Sequence, residues 1–425
     1  MIIHVVKQGE TIFSIADYYK VSAVRLIQEN DLMNPNNLVI GQTIIIVYPE
    51  QTHTVIQGET LPGIADRYNV TLMDLLRNNP YLLDREYIYP GEILVIRYIN
   101  EKSGSIKING YAYPFIDRKI LEKNLLYLTY LSIFSYTISA NGELNDIDDA
   151  ELIDMAKGYG VAPIMVISNV TSEGAFDRDI AHNFLADKDI QDNLIENVSS
   201  VLKEKGYYGL NLDMPYILPE DREKYIEFII RLISRLKSQE IKVFITISPN
   251  AFQRDEITDF REIDYTRVSQ IIDGVILISY SWGYTTGIPL DEIPFNYQQI
   301  LLAYIETQIP SEKITFGITS IGYIFRFPFI EGVSRAEAIS NANAIQLASN
   351  AGTEINYNKN NLTSYFYISN SEDYLVYFHD GRGLSTFLEL VSQHNLDGIA
   401  FWNIMYFLAQ EFLIINTQYY IEKVI

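Results

Sequence analysis

Acidic and aromatic residues that close short apolar runs are where this chain could do chemistry. The clearest run is Tyr208-Gly209-Leu210-Asn211-Leu212-Asp213-Met214-Pro215. Side chains alternate along a strand, so Asn211, Asp213 and Pro215 share one face. An inward carboxylate is costly unless it is partnered or functional, which makes Asp213 the first candidate for catalysis. Tyr280 ends the apolar run Gly274–Tyr280, and Trp402 ends Gly398-Ile399-Ala400-Phe401-Trp402. Aromatic side chains of this kind either fill a core or form the platforms that sugar-binding clefts favour.

Composition removes several other chemistries. The 425 residues contain no Cys, so disulfides, thiolate metal sites and a Cys nucleophile are excluded. The five His (His4, His53, His182, His379, His394) make no ligand pair at helical spacing, and no metal is expected. A net charge of −22 repels a phosphate backbone, which argues against nucleic acid as a partner. No apolar run reaches the ~18 residues of a membrane helix. The opening Met1-Ile2-Ile3-His4-Val5-Val6-Lys7 is too short for an export signal. With 48% hydrophobic residues there is ample material for packed domains.

The candidate residues need a scaffold, and the region after Ser103-Gly104 supplies one. Apolar strands are expected at Ile106–Tyr113, Tyr130–Phe134, Pro163–Ile167, Gly209–Met214, Lys242–Ile247, Gly274–Tyr280, Thr315–Ile321 and Gly398–Ile404. Amphipathic helices such as Asp192–Lys205 and Arg222–Gln239 separate them. Strands alternating with helices in this number predict an α/β fold, a (β/α)8 TIM barrel. Active sites of that fold lie at the C-terminal ends of the strands, where Asp213, Tyr280 and Trp402 fall. The long gap before the last strand, approximately 324–390, predicts a small α+β insertion with a helix over Ala336–Ala351 and a hairpin over Ser364–Phe378.

The N-terminus carries a repeat. His4-Val5-Val6-Lys7-Gln8-Gly9-Glu10-Thr11-Ile12 returns as His53-Thr54-Val55-Ile56-Gln57-Gly58-Glu59-Thr60-Leu61, displaced by 49 residues. The register continues through Ile15-Ala16-Asp17 and Ile64-Ala65-Asp66, Asn30 and Asn79, and Gly41 and Gly91. Each copy reads as a βααβ unit, with Thr11 and Thr60 as helix N-caps and Ser22 capping a second helix. The expected domains are therefore 1–49, 51–98 and a barrel over 104–425.

Both repeat units resemble the LysM module along their whole length. The resemblance implies binding to N-acetylglucosamine-containing glycan, peptidoglycan above all. It places the ligand against Gly9, Glu10, Thr11, Asn30 and Asp31, and against Gly58, Glu59, Thr60, Asn79 and Pro80. The same residues could serve turns and caps alone. Two weak sites on one chain would raise avidity for a polymer.

The strand carrying Asp213 resembles the Asp-Gly-x-Asp-x-Asp-x-Glu signature of family 18 glycoside hydrolases. The segments Ile108-Asn109-Gly110-Tyr111-Ala112-Tyr113, Tyr280-Ser281-Trp282-Gly283-Tyr284 and Gly398–Trp402 agree with that family. With two LysM-like units, the whole chain resembles the spore cortex-lytic N-acetylglucosaminidases. That resemblance implies substrate-assisted hydrolysis without a cofactor, in which the substrate's acetamido oxygen attacks the anomeric carbon. Asp213 then stabilises the acetamido group, Tyr280 holds its oxygen, and Trp402 floors the reacting sugar. Asn211, Trp282 and Tyr113 join as substrate-binding residues.

The chain departs from the signature where the acid should be. Pro215 stands there and has no proton to give; Tyr208 and Ser281 replace two further acidic residues of the pattern. Two readings follow. Either the barrel binds glycan without efficient turnover, or a nearby carboxylate, Glu220 or Asp221, supplies the proton. The resemblance also implies a spore location, in the coat or cortex, for a protein made in the cytoplasm.

Overall fold

The computed structural model describes residues 1–99, 102–139, 141–169, 177–214, 217–247, 264–278, 294–330, 333–369 and 373–425. Each repeat unit folds as two short helices against a two-stranded antiparallel sheet. In the first, Ile2–Val5 pairs with Thr43–Ile46 and the helices are Ile12–Tyr19 and Ala23–Glu29. In the second, Pro49–Thr54 pairs with Ile93–Tyr98 and the helices are Leu61–Arg67 and Leu72–Asn78.

Local chemistry explains these helix starts. Thr11 accepts from the Ser14 amide while Ser14 bonds back to Thr11, closing a capping box. Ser22 and Thr60 cap by the first of these bonds alone, accepting from the amides of Arg25 and Gly63. Gly41 takes a left-handed φ of +88°, and a Cβ there would sit 1.9 Å from the Ile355 carbonyl oxygen, so only glycine fits.

Eight parallel strands follow, at Ser105–Ala112, Tyr130–Ile138, Ala162–Ser168, Gly209–Asp213, Lys242–Ile247, Gly274–Ile278, Ile314–Thr319 and Gly398–Trp402. The first pairs with both the second and the eighth, which closes the (β/α)8 barrel. At the closing seam a Cβ on Gly398 would lie 1.9 Å from the Lys107 carbonyl oxygen, which accounts for the glycine. Helices such as Lys188–Lys205 and Arg222–Leu236 turn Leu194, Val198 and Leu202, or Ile226, Ile229 and Leu232, onto the barrel wall. That wall joins one continuous apolar core.

Before the last strand, Gly322–Phe327, Glu337–Ile339, Asn356–Asn358, Thr363–Ser369 and Asp373–Phe378 build a separate five-stranded antiparallel sheet. The helix expected over Ala336–Ala351 starts later than its apolar spacing suggests. Glu337–Ile339 pairs with Gly322–Ile324 as a strand, and Ser340 then caps a helix over Asn341–Ala351. Strand pairing wins because it satisfies backbone groups that a first helical turn would leave open. The expected hairpin is present as Thr363–Ser369 against Asp373–Phe378.

The two small units are fastened to the barrel. Ile45 and Val47 are part of the barrel's own apolar core. Gln410 reaches the Thr43 carbonyl at 2.9 Å, and Asn37 reaches Ser349 at 2.8 Å. The second unit is tied by Arg77 to the Leu126 carbonyl at 2.6 Å and by Tyr127 to the Arg77 carbonyl at 2.6 Å. Tyr98 of the second unit donates to Glu29 of the first at 3.1 Å. Among the described residues, no helix is long and apolar enough to cross a membrane.

Candidate functional site

The fourth barrel strand presents Asn211 and Asp213 inward, as strand alternation requires. Asn211 is fully buried and immobilised: its Nδ2 donates to the Tyr111 hydroxyl at 2.9 Å and to Thr246 Oγ1 at 3.0 Å. Asp213 lies one inward position closer to the mouth and is 1% exposed. Neither of its oxygens receives a well-formed hydrogen bond from a described residue. Burial pushes its carboxyl up to about 7, against a lowering influence from the nearby Thr246 hydroxyl. Its charge is felt by Tyr111 and Tyr113, whose hydroxyls are raised chiefly by burial and secondarily by Asp213.

Trp402, at the end of the eighth strand, belongs to an aromatic group at the same mouth. Its ring centre lies 4.8 Å from Phe134, 5.4 Å from Tyr111 and 6.0 Å from Tyr113. Tyr113 stacks in turn on Phe115, which is 75% exposed. The rings thus run from the barrel interior to the surface beside a carboxyl that holds its proton to near-neutral pH. The peptide bonds Phe134–Ser135 and Trp402–Asn403 are cis. This arrangement can stack a sugar ring and offer its acetamido group either a donor or an acceptor.

Three partners of this site were not singled out by the sequence reading. Tyr111 and Thr246 position Asn211, and Phe134 supports Trp402. Strand alternation could have found each, since Tyr111 is two residues before Tyr113 and Thr246 lies inward on Lys242–Ile247. Tyr280, Ser281 and Trp282, and the acid position Pro215, lie outside the described residues.

The two alternative acids occupy different surroundings. Glu220 is exposed on the turn Pro219–Asp221. Asp221 is 1% exposed and receives His182 Nδ1 at 2.6 Å and Lys224 Nζ at 2.9 Å. Burial opposes its ionisation, yet these two partners hold its carboxyl below the ordinary value.

In the repeat units, several expected glycan contacts are bonded within their own fold. Glu10 accepts from the Lys7 amide at 2.7 Å and meets His4 Nε2 at 2.9 Å, while His4 Nδ1 meets the Tyr19 hydroxyl at 3.1 Å. Glu59, His53 and Tyr68 repeat that arrangement at 2.7 and 3.0 Å. Asn30 is buried and bonds the Leu26 and Ile45 carbonyls and the Ile45 amide; Asn79 does the same with Leu75 and Val95. Thr11 and Thr60 are helix caps, and Gly9 and Gly58 take left-handed turns with φ of 81° and 87°. Pro80 opens a short 3-10 turn, and Asp31 is exposed beside Asn30.

Comparison with known proteins agrees with this architecture. The LysM domain profile matches residues 4–47 and 53–97, and that of the glycosyl hydrolases family 18 matches 126–406. The cortical fragment-lytic enzyme of Bacillus subtilis (strain 168) is 30% identical over 100% of this chain and 99% of its own. The putative sporulation-specific glycosylase YdhD of the same organism is 28% identical over 95% of each. The crystal structure of the Bacillus megaterium QM B1551 spore cortex-lytic enzyme SleL superposes with a TM-score of 0.81 at 27% identity, covering 100% of this chain and 99% of that one. A chitinase from Chromobacterium violaceum shares the fold, with a TM-score of 0.63 at 18% identity over 73% of this chain and 99% of its own. A barrel that gathers Asp213 and Trp402 at the C-terminal ends of its strands, behind two LysM domains, belongs to the glycosyl hydrolases family 18.

Proposed function

We propose that this chain is a peptidoglycan-binding protein of the spore cortex whose family 18 barrel holds N-acetylated glycan but cleaves it inefficiently. The observation that carries this reading is Pro215, two residues beyond Asp213 in the sequence, where the family signature has its acid. The glycosidic oxygen is a poor leaving group without a proton, and a positioned general acid is worth typically ~10²–10⁴-fold in rate. What remains favours binding. Asp213, with a pKa near neutrality, can meet an acetamido group in either protonation state, and Trp402 and Tyr113 offer aromatic faces. In this reading Tyr280 holds the acetamido oxygen, and Asn211 and Trp282 complete the cleft.

The LysM units, over 1–49 and 51–98, anchor the chain to the polymer ahead of the barrel over 104–425. Glu10, Asn30, Glu59 and Asn79 shape the turns that Gly9, Thr11, Asp31, Gly58, Thr60 and Pro80 present to glycan. The relatives named for cortex lysis support a spore location.

A second reading, an active N-acetylglucosaminidase with a displaced acid, draws on the exposure of Glu220 just beyond the strand end. Asp221 suits that role less, because His182 and Lys224 keep it ionised. Incubation with cortex fragments, scored for bound protein and for released reducing ends, separates the two. Binding with negligible release is expected. Release that disappears on Asp213→Asn or Glu220→Gln would establish the enzyme instead.

A further inference from the structure

The junction between the first LysM unit and the barrel contains a groove outside the site just described. Two cavities meet at Asp31, Asn341, Ala342, Phe407 and Glu411. One runs outward along the LysM unit past Asn34 and Asn37. The other, about 330 Å³, runs inward to Ser320 and Tyr406. That volume is within the usual ~300–1,000 Å³ of small-ligand sites. Ser320 follows the seventh strand and donates to the Asn403 carbonyl at 2.6 Å, and Asn403 is the residue after Trp402. The inner end of the groove therefore lies beside the ends of the seventh and eighth strands, on the same side of the barrel as the candidate cleft.

The geometry points to one continuous track in which an N-acetylated oligosaccharide strand passes from the first LysM unit to the barrel mouth. This inference rests on the glycan-binding reading above and extends it to a surface that neither domain forms alone.

The chemistry of the walls selects this kind of ligand. Glu411 is 8% exposed and accepts from Asn341 Nδ2 at 2.7 Å. The Asn341 Oδ1 atom is buried and has no hydrogen-bond partner among the described residues. A buried acceptor of that kind calls for an incoming donor. Together with the Asp31 carboxylate it asks for O–H or N–H donors, Lys119 and Lys123 of the inner cavity ask for oxygen acceptors, and Phe407, beneath the Lys123 ammonium, adds apolar surface. Sugar hydroxyls, acetamido N–H groups and the apolar face of a pyranose meet all three demands. A metal cation is a poorer occupant: among the described residues no group of three or more His, Asp or Glu side chains is placed to hold one. Both walls are fixed in advance by the Asn37–Ser349 and Gln410–Thr43 bonds, so a strand binds without first ordering the junction.

The test uses the full-length chain and calorimetric titration with the N-acetylglucosamine dimer and hexamer. Ala342 is exposed on the stretch that both cavities share, so Ala342→Trp fills the track without entering a core. Gln346→Trp, one helical turn along the same wall, is the second blocking variant and guards against a local folding defect in the first. Thermal unfolding of each variant is measured alongside. The wild type is expected to bind hexamer more tightly than dimer. Each Trp variant is expected to lower hexamer affinity about tenfold, leaving dimer affinity and unfolding temperature unchanged. Hexamer affinity unchanged in both variants overturns the track and leaves the glycan reading standing. A wild type that binds no hexamer removes both.

Discussion

Replacing Asp213 by Asn should stabilise the protein, and by an amount that depends on pH. The carboxyl is raised from 3.8 to about 7 by burial. Below the unfolded value both states hold the proton and the substitution is nearly neutral. Between the two values the folded state keeps a proton that the unfolded chain has released, so wild-type stability falls as pH rises. Above about 7 the folded state carries a buried charge. The cumulative cost is then ~4 kcal/mol, at ~1.4 kcal/mol for each tenfold change in proton affinity. Asn has the shape of the protonated acid and escapes that cost. For a domain of this size the gain corresponds to a rise of ~5–10 °C in unfolding temperature at pH 8 and almost none at pH 4. Glu411, also raised to about 7, titrates in the same window but is present in both proteins and cancels. Paired thermal unfolding of wild type and Asp213→Asn across pH 4–8 is the assay. A temperature difference that stays flat across that range, or a variant less stable at pH 8, would refute a desolvated Asp213.

Other consequences follow from individual contacts. Asn30→Ala removes bonds to the Leu26 and Ile45 carbonyls and the Ile45 amide, and Asn79→Ala removes the matching set; each should cost ~3 kcal/mol, read by thermal unfolding and proteolysis of residues 1–98. Trp402→Ala should cost ~3–5 kcal/mol because the ring packs among Tyr111, Tyr113 and Phe134, and calorimetry should show reduced glycan affinity. Asp221→Asn breaks the pairs to His182 and Lys224 and should lower stability by ~2 kcal/mol at neutral pH without altering glycan binding. Because the Asp221 carboxyl is lowered on folding, that deficit is present above 3.8 and fades as pH falls through its folded value.

The sequence revealed the barrel and the repeat for different reasons. Runs such as Lys242–Ile247 are buried on both faces by the barrel and its helices and are mostly apolar, so their boundaries could be read directly. The repeat exposed Thr11, Ser22 and Thr60 as caps because a cap is local chemistry. Local pattern failed where the deciding partner was distant. Glu337–Ile339 continues an apolar helical spacing, yet Gly322–Ile324 recruits it as a strand. Asn30 repeats as Asn79, but spacing alone does not distinguish a ligand contact from a staple across the sheet. Alternation puts Tyr111 on the same strand face as Tyr113, but its pairing with Asn211, 100 residues away, is set only by the closed barrel. The docking of the LysM units was likewise hidden, since Gln410 and Thr43 are 367 residues apart.

The central claim is that the barrel holds glycan in a productive pose and that the missing proton donor limits its turnover. Product release from cortex muropeptides by the wild type, beside Pro215→Glu and the double variant Pro215→Glu/Asp213→Asn, tests it directly. The account predicts negligible release by the wild type, release by Pro215→Glu, and its loss again in the double variant. Rapid release by the wild type, unchanged by Pro215→Glu, would contradict it.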